Sequence, residues 1–340
     1  SALNNKKHVI TANKALIAKH GNYLSLLAEK NKVNLEFEAS VAGGIPIIRV
    51  IKEGLVSNKI SKLIGILNGT SNYILTEMEH SGKKFSDVLK EAQNSGFAEK
   101  NPKNDLNGND VSSKIKILSS LCFKSLISNS KILTNGIENI EVKDINIVKK
   151  LGYRIKLLGI TEIINNNIFE RVHPSLVRIN SYIANINGVF NATIISGKPV
   201  GQSVMQGEGA GPGPTTSSLI SDLYSIIRGN IKNPFIVPHS KRKKIKIYNY
   251  NNYIYACYFR FEVKDKSGVL ASITNILAKN KISIETLIQD PNKKNKTASI
   301  IIITHKTTEK RVINCIASIN KNKNIIKKPT FIRVGNFNDD

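Results

Sequence analysis

The sequence predicts an α/β protein, and three patterns along its 340 residues lead there. The first residues run strand, helix, strand, the order of a parallel, doubly wound sheet. The middle alternates strands with helical patterns, which suits a mixed sheet with helices on one face. The C-terminal part runs βαββαβ. The length allows two or three domains with separate cores. A hydrophobic content of 41% with 6% aromatics fits an ordinary soluble chain. No apolar run approaches the roughly 18 residues of a membrane span, and the N-terminus has no signal-peptide layout.

Taken in order, Ser1-Ala2-Leu3 reads as a helix end and Lys7 to Thr11 as a short strand. Ala12-Asn13-Lys14 is a loop. Leu16, Ile17, Leu24, Leu27 and Ala28 then form the apolar stripe of a helix, and Val33 to Phe37 alternates as a second strand. Lys14 stands at a helix start, where the macrodipole disfavours a cation, so a neighbouring anion is expected. In EASVAGGIPII (Glu38 to Ile48), two glycines lead into a helix with Pro46 in its first turn. Ile60 to Leu67 is a strand, and Asn68-Gly69-Thr70 turns into a helix near Ser71. Shorter strands are expected at Lys156 to Thr161 and at Ala184 to Phe190.

GEGAGPGPTTSS (Gly207 to Ser218) is a second glycine-rich loop. Thr215, Thr216 or Ser217 caps the helix that follows, whose apolar residues are Leu219, Leu223, Ile226 and Ile227. A glycine loop feeding a helix N-terminus is an anion cradle. Ile236 to Asn252 is basic and Asn-rich and reads as a linker. Next come a strand from Tyr253 to Val263 and a helix opened by Asp265 to Leu270 and ending at Lys279. Strands at Ile282 to Gln289 and Ala298 to Thr304, a helix from Thr308 to Ile319 and a strand from Thr330 to Val334 complete the module.

GFAEKNPKNDLNGNDVSSK (Gly96 to Lys114) is where chemistry concentrates. Asn107-Gly108 is a turn and Asn109 the N-cap of a helix through Val111, Ile115, Ile117 and Leu118. Asp110 and Lys114 lie at i and i+4 and share a face of that helix. Glu99 and Asp105 sit in the incoming loop. A lysine among carboxylates is a proton donor for a small polar substrate. The same spacing also fits a solvated helix start with one surface ion pair.

The net charge is +25, from 50 Lys and Arg against 25 Asp and Glu. Lysines are scattered through every segment, and the densest cluster, Lys241 to Lys246, has no interleaved aromatics. Assistance to an anionic substrate or cofactor phosphate is expected over nucleic-acid binding. Cys122, Cys257 and Cys315 are isolated in apolar patterns, as buried thiols of a reducing, cytoplasmic compartment would be.

The central stretch resembles homoserine dehydrogenase, whose pattern there is G-[YF]-x-E-x-D-P-x-x-D-x-x-G-x-D-x-x-x-K. Gly96, Phe97, Glu99, Pro102, Asp105, Gly108, Asp110 and Lys114 match, while Asn101 stands where an Asp is usual. HVITANKALIA, EASVAGGIPII, GILNGTSNYILTEM and GEGAG followed by PT are similar to other segments of that family, with Pro212 replacing a commoner small residue. The βαββαβ module with D-x-x-G-V-L resembles an ACT domain.

The resemblance implies that residues 1–44 are the second half of a Rossmann NAD(P)-binding domain. The stretch 45–206 is then a substrate and dimerisation domain, 207–235 returns to the nucleotide domain, 236–252 is a basic linker and 253–337 an ACT domain. No G-x-G-x-x-G occurs, so an incomplete Rossmann unit lacking its first strands is expected. The implied reaction is reversible NAD(P)H-dependent reduction of L-aspartate 4-semialdehyde to L-homoserine, with NADP favoured. Lys114 is implied as proton donor oriented by Asp110, and Glu99 with Asp105 as the substrate's ammonium site. Lys14, Gly96 and Gly211 are implied at the cofactor. The carbonyls of Glu38, Val41, Gly43 and Ile45 would hold a monovalent cation, sodium, although an ion-free hinge also fits that loop. Gly268 would face an amino-acid effector such as threonine, or the module would serve only for pairing. A homodimer or homotetramer is implied. The alternative is a truncated, non-catalytic amino-acid-binding or dimerising protein.

Overall fold

The computed structural model describes residues 2–229, 233–292 and 294–335. Ser1 of the expected helix end, residues 230–232 of the 207–235 segment, residue 293, and residues 336 and 337 of the expected module lie outside them. The chain forms two compact units. One comprises Ser1–Glu138, Lys156–His173 and Asn185–Tyr248, the other Asn139–Ile155, Pro174–Ala184 and Asn249–Asp340. This division runs across the segments expected from the sequence.

In the first unit, β1 (Val9–Ile10) and β2 (Leu35–Glu36) pair in parallel around α1 (Lys14–Asn31). Asn13 caps α1 by accepting from the Leu16 amide. The helix buries Ile17, Gly21, Ser25 and Ala28, while Leu16 is exposed and Leu24 and Leu27 are half-buried. The expected stripe is thus rotated, because two small residues admit close neighbours. A Cβ on Gly21 would stand 2.8 Å from Ile127 Cδ1.

α2 (Ile47–Arg49) follows, with Pro46 as its N-cap and not in its first turn. Then come β3 (Lys59–Ile66), α3 (Gly69–Ser81), α4 (Phe85–Asn94), α5 (Lys103–Leu106), α6 (Asn109–Cys122) and β4 (Leu133–Thr134). α7 (Val142–Lys150) precedes β5 (Tyr153–Ile164), β6 (Asn167–Arg178), β7 (Phe190–Lys198), β8 (Gly201–Glu208) and α8 (Pro212–Ile227). The unit's main sheet runs β6-β5-β3-β7-β8, with β3 antiparallel to both neighbours and β4 parallel to β6. The mixed sheet is as predicted, but its strands are longer than expected.

The expected strand at Ala184 to Phe190 is absent; the chain there forms a 3₁₀ turn, Tyr182–Asn185, and a loop. Buried side chains take the carbonyls that a strand would have offered to a neighbour. The Asn72 amide donates to Ile186 O and Gly188 O, and Lys156 Nζ also donates to Ile186 O. α8 departs in a different way. It begins at Pro212 after Gly211, so Thr215, Thr216 and Ser217 lie inside it and do not cap it. It buries Ser218, Asp222 and Ser225 and leaves Ile220, Leu223, Tyr224 and Ile227 exposed. The polar face turns inward because Ser218 donates to Gly43 O and Asp222 accepts from the Glu38 amide.

The expected linker is not free over 235–248. Parallel bridges join Ser125 to Lys243 and Ile168 to Ile247. Arg242 is buried, lies over the Phe235 ring and donates to Asn22 and Ser25 of α1.

In the second unit, β9 (Ile254–Lys264), α9 (Val269–Lys279), β10 (Ile284–Asn292), β11 (Thr297–Thr304), β12 (Thr307–Thr308), α10 (Glu309–Ile319) and β13 (Thr330–Val334) give the predicted βαββαβ order. Its sheet runs β10-β11-β9-β13, over a core that includes Phe259, Phe261, Ile273, Ile300 and Val312. α7 joins this unit through Asp144, fully buried, which accepts from Arg260 Nε at 2.6 Å, Arg260 Nη2 at 3.0 Å and Tyr258 Oη at 3.0 Å. The three cysteines are buried and free. Among the described residues no helix is long and apolar enough to cross a membrane.

Candidate active site

α6 positions the two central groups. The helix starts one residue earlier than a cap at Asn109 would place it: Gly108, at φ 83°, is the N-cap, and Asn107 Oδ1 accepts the Asn109 amide at 3.0 Å. Glycine is required at 108 both by that backbone angle and by space, since a Cβ would lie 2.9 Å from carbons of Thr134 and Val172. One turn in, Asp110 Oδ2 meets Lys114 Nζ at 2.8 Å, and its other oxygen meets Lys14 Nζ at 2.9 Å. The anion expected beside Lys14 is therefore Asp110.

Both α6 groups are buried, at 7% and 8% exposure, so the solvated surface pair is excluded. Burial alone would raise the Asp110 carboxyl. The ammonium groups of Lys114 and Lys14, with hydrogen bonds from Lys114 and Asn68, outweigh it and hold the group at about 2. Lys114 Nζ also donates to Leu67 O, where β3 ends. The lysine thus sits between a carboxylate and a carbonyl and faces the exposed ammonium of Lys14 across Asp110.

Asp105 lies in α5 and not in a loop. It accepts from Asn68 Nδ2 at 2.7 Å, and the same nitrogen donates to Asp110 at 3.0 Å. Burial raises the Asp105 carboxyl; Asn68 and Lys114 oppose this, while Asp110 and Glu99 add to it. Glu99 is exposed on the approach loop, close enough for its charge to act on Asp105. That loop is pinned to α3 by Thr70 Oγ1 donating to Phe97 O at 2.7 Å and by the Phe97 ring against Tyr73. Nothing in the sequence singles out Asn68. Asn-Gly-Thr signals a turn and a cap, and nothing local shows what the rest of the amide meets.

The two glycine loops meet each other. The Gly44 amide donates to Glu208 O at 3.0 Å, and a Cβ on Gly43 would stand 2.6 Å from Gly209 O. Glu38 is buried beneath them and accepts the Ile48 and Arg49 amides at 2.9 and 2.8 Å; burial pushes it up to about 7. The carbonyls of Glu38, Gly43 and Ile45 each accept one hydrogen bond, from Val41 N, Ser218 Oγ and Ile47 N. A carbonyl oxygen has a second lone pair, so this oxygen-only set fits a hard monovalent cation. Gly96 and Gly211 are exposed at φ 77° and 112°, and Gly211 opens the 16-residue α8. Exposed glycine backbone leaves room for a phosphate-bearing cofactor, whereas Pro212 and Pro214 in the first turn of α8 have no N–H to offer it. Gly268, at φ 82°, caps α9 in the second unit, beside a cleft lined by Asp265, Lys266, Ser267 and Gln289.

Residues 46–224 match the family model described as homoserine dehydrogenase, and residues 258–320 match the ACT domain. The chain is 41% identical to homoserine dehydrogenase of Neisseria gonorrhoeae, over 99% of this chain and 79% of that protein. It superposes on the crystal structure of a homoserine dehydrogenase from Thiobacillus denitrificans with a TM-score of 0.92 and 40% identity, covering 98% of this chain and 78% of the other. A hyperthermophilic archaeal homoserine dehydrogenase in complex with NADPH is more distant. It gives a TM-score of 0.58 and 27% identity, covering 67% and 66% of the two chains.

Proposed function

The chain belongs to the homoserine dehydrogenase family of NAD(P)-dependent oxidoreductases, and from that premise we propose which of its residues carry the reaction and which ligands it takes. The reaction is the reversible reduction of L-aspartate 4-semialdehyde to L-homoserine, and the ACT domain adds a regulatory module. The alternative of a non-catalytic binding protein is not favoured, since the likeness runs through the whole chain.

One observation carries the assignment: a single buried carboxylate, Asp110, clamped between the ammonium groups of Lys14 and Lys114. The nicotinamide supplies the hydride when bound. Charge then develops on the substrate's carbonyl oxygen, which needs a cation and a proton close by. Lys114 gives that proton in reduction and takes it back in oxidation. Asp110 stays ionised and fixes the direction of the lysine. Asp105 and Glu99 receive the substrate's ammonium group, and their mutual repulsion is relieved when that cation arrives. Lys14, Gly96 and Gly211 form the cofactor side. The NADPH bound by the archaeal relative supports a preference for NADP.

The carbonyls of Glu38, Val41, Gly43 and Ile45 hold sodium, which would lock the two glycine loops together. The loop around Gly268 takes an amino-acid effector such as threonine. The working form is a cytoplasmic homodimer or homotetramer. Loss of NADPH absorbance with aspartate semialdehyde tests the central claim. Lys114→Ala should lower kcat by about 10²- to 10⁴-fold, the usual contribution of a positioned proton donor. Equal rates would remove Lys114 from the chemistry.

A further inference from the structure

We propose that Asn68 is a positioning residue of the reaction centre: its carboxamide bridges Asp105 to Asp110 and so holds Asp105 where, with Glu99, it receives the substrate's ammonium group. This rests on the roles given above to Asp110 and Lys114. The geometry uses every polar atom of the side chain. Oδ1 accepts the Ser71 amide at 2.8 Å as the N-cap of α3, so the NH₂ end must face the acids. Its two hydrogens then go to Asp105 Oδ1 at 2.7 Å and Asp110 Oδ2 at 3.0 Å.

The preceding residue, Leu67, gives its carbonyl to Lys114. One corner, where β3 passes into α3, therefore holds both carboxylates and the lysine. Asn68 is buried, so water does not replace what it supplies. Serine and aspartate also cap helices, yet neither donates two hydrogen bonds at that place.

The charged groups around Asp105 are Glu99 on the approach loop and Asp110 and Lys114 on α6, with Lys14 of α1 beyond Asp110. From α3 the group that meets it is Asn68. The Asn68 hydrogen bond lowers the Asp105 carboxyl, against burial and against its acidic neighbours.

The test compares Asn68→Ser and Asn68→Asp with the parent enzyme, using aspartate semialdehyde and NADPH, with Lys114→Ala alongside. Both Asn68 variants keep a side-chain oxygen to cap α3, so the far-ultraviolet circular dichroism should stay the parent's, while the melts should fall, most in Asn68→Asp, whose carboxylate would face Asp105 and Asp110. Asn68→Ser should lose about 10- to 100-fold in kcat/KM, mainly through KM for the semialdehyde, as expected for a lost hydrogen bond to a charged group. Its acidic limb in kcat/KM should move to higher pH, and further still in Asn68→Asp. Parent-like KM and an unmoved acidic limb overturn the proposal, because a residue that only caps α3 predicts that result. A fully active Lys114→Ala instead overturns the reading beneath it, so the two failures are told apart.

Discussion

Replacing Gly159 of β5 with alanine should damage catalysis from a position away from the reacting groups. A Cβ there would stand 2.6 Å from Ile115 Cγ1, 2.7 Å from Val111 Cγ1 and 2.8 Å from Ile115 Cδ1. Carbon atoms in contact sit at about 3.5–4.0 Å, so α6 must retreat from the sheet by roughly 1 Å. Val111 and Ile115 are fully buried, and the β-branched side chains of both are stiff at χ1. Overpacking of this kind costs about 1–3 kcal/mol of stability. The two residues flank Asp110 and Lys114 on the same helix, so the shift is carried to the site. The Lys14–Asp110 contact of 2.9 Å and the Asn68–Asp110 bond of 3.0 Å would both stretch. A misplacement of about 1 Å is worth on the order of 10²-fold in rate. Urea midpoints give the first quantity and kcat/KM the second. A variant that is destabilised but keeps the parent's kcat/KM would refute the coupling between β5 and the site.

Two further outcomes follow from buried charge. Burial raises the carboxyl of Glu170 from 4.5 to about 7. Between those values the unfolded chain is ionised and the fold is not, so stability falls as pH rises, by about 3 kcal/mol once above 7. Glu170→Gln should therefore be more stable than the parent at pH 8, with the difference vanishing toward pH 4.5; a pH-independent difference counts against this. Asp144→Ala should cost about 3–5 kcal/mol in the second unit by leaving Arg260 without its main partner. Calorimetry showing a loss below about 1 kcal/mol would remove the buried pair from the account.

Features set by local sequence are legible in the chain, and those set by distant partners are not. The C-terminal module was legible because each element has its own period and turn chemistry, with Gly268 at a left-handed cap. The Asp110–Lys114 pair was legible because it lies within one helical turn. Asn68 was not, since its role depends on two acids brought over from α5 and α6. α8 misled because its Ser218 and Asp222 are needed inside by a loop far off in sequence, which overrides the apolar pattern. The 235–248 segment misled in the same way: charge and asparagine suggest a solvated tether, whereas Arg242 finds partners on α1.

The clamp on Asp110 joins one partner from the same helical turn to one from a remote segment. The near partner is in place as soon as the first turn of α6 winds, within the microsecond scale of helix formation. The far one arrives only when long stretches of chain have closed on each other, which is the slow part of assembly. During renaturation the far-ultraviolet circular dichroism should return ahead of turnover. Mild stress that unseats α1 should silence the enzyme while its helical signal stays intact.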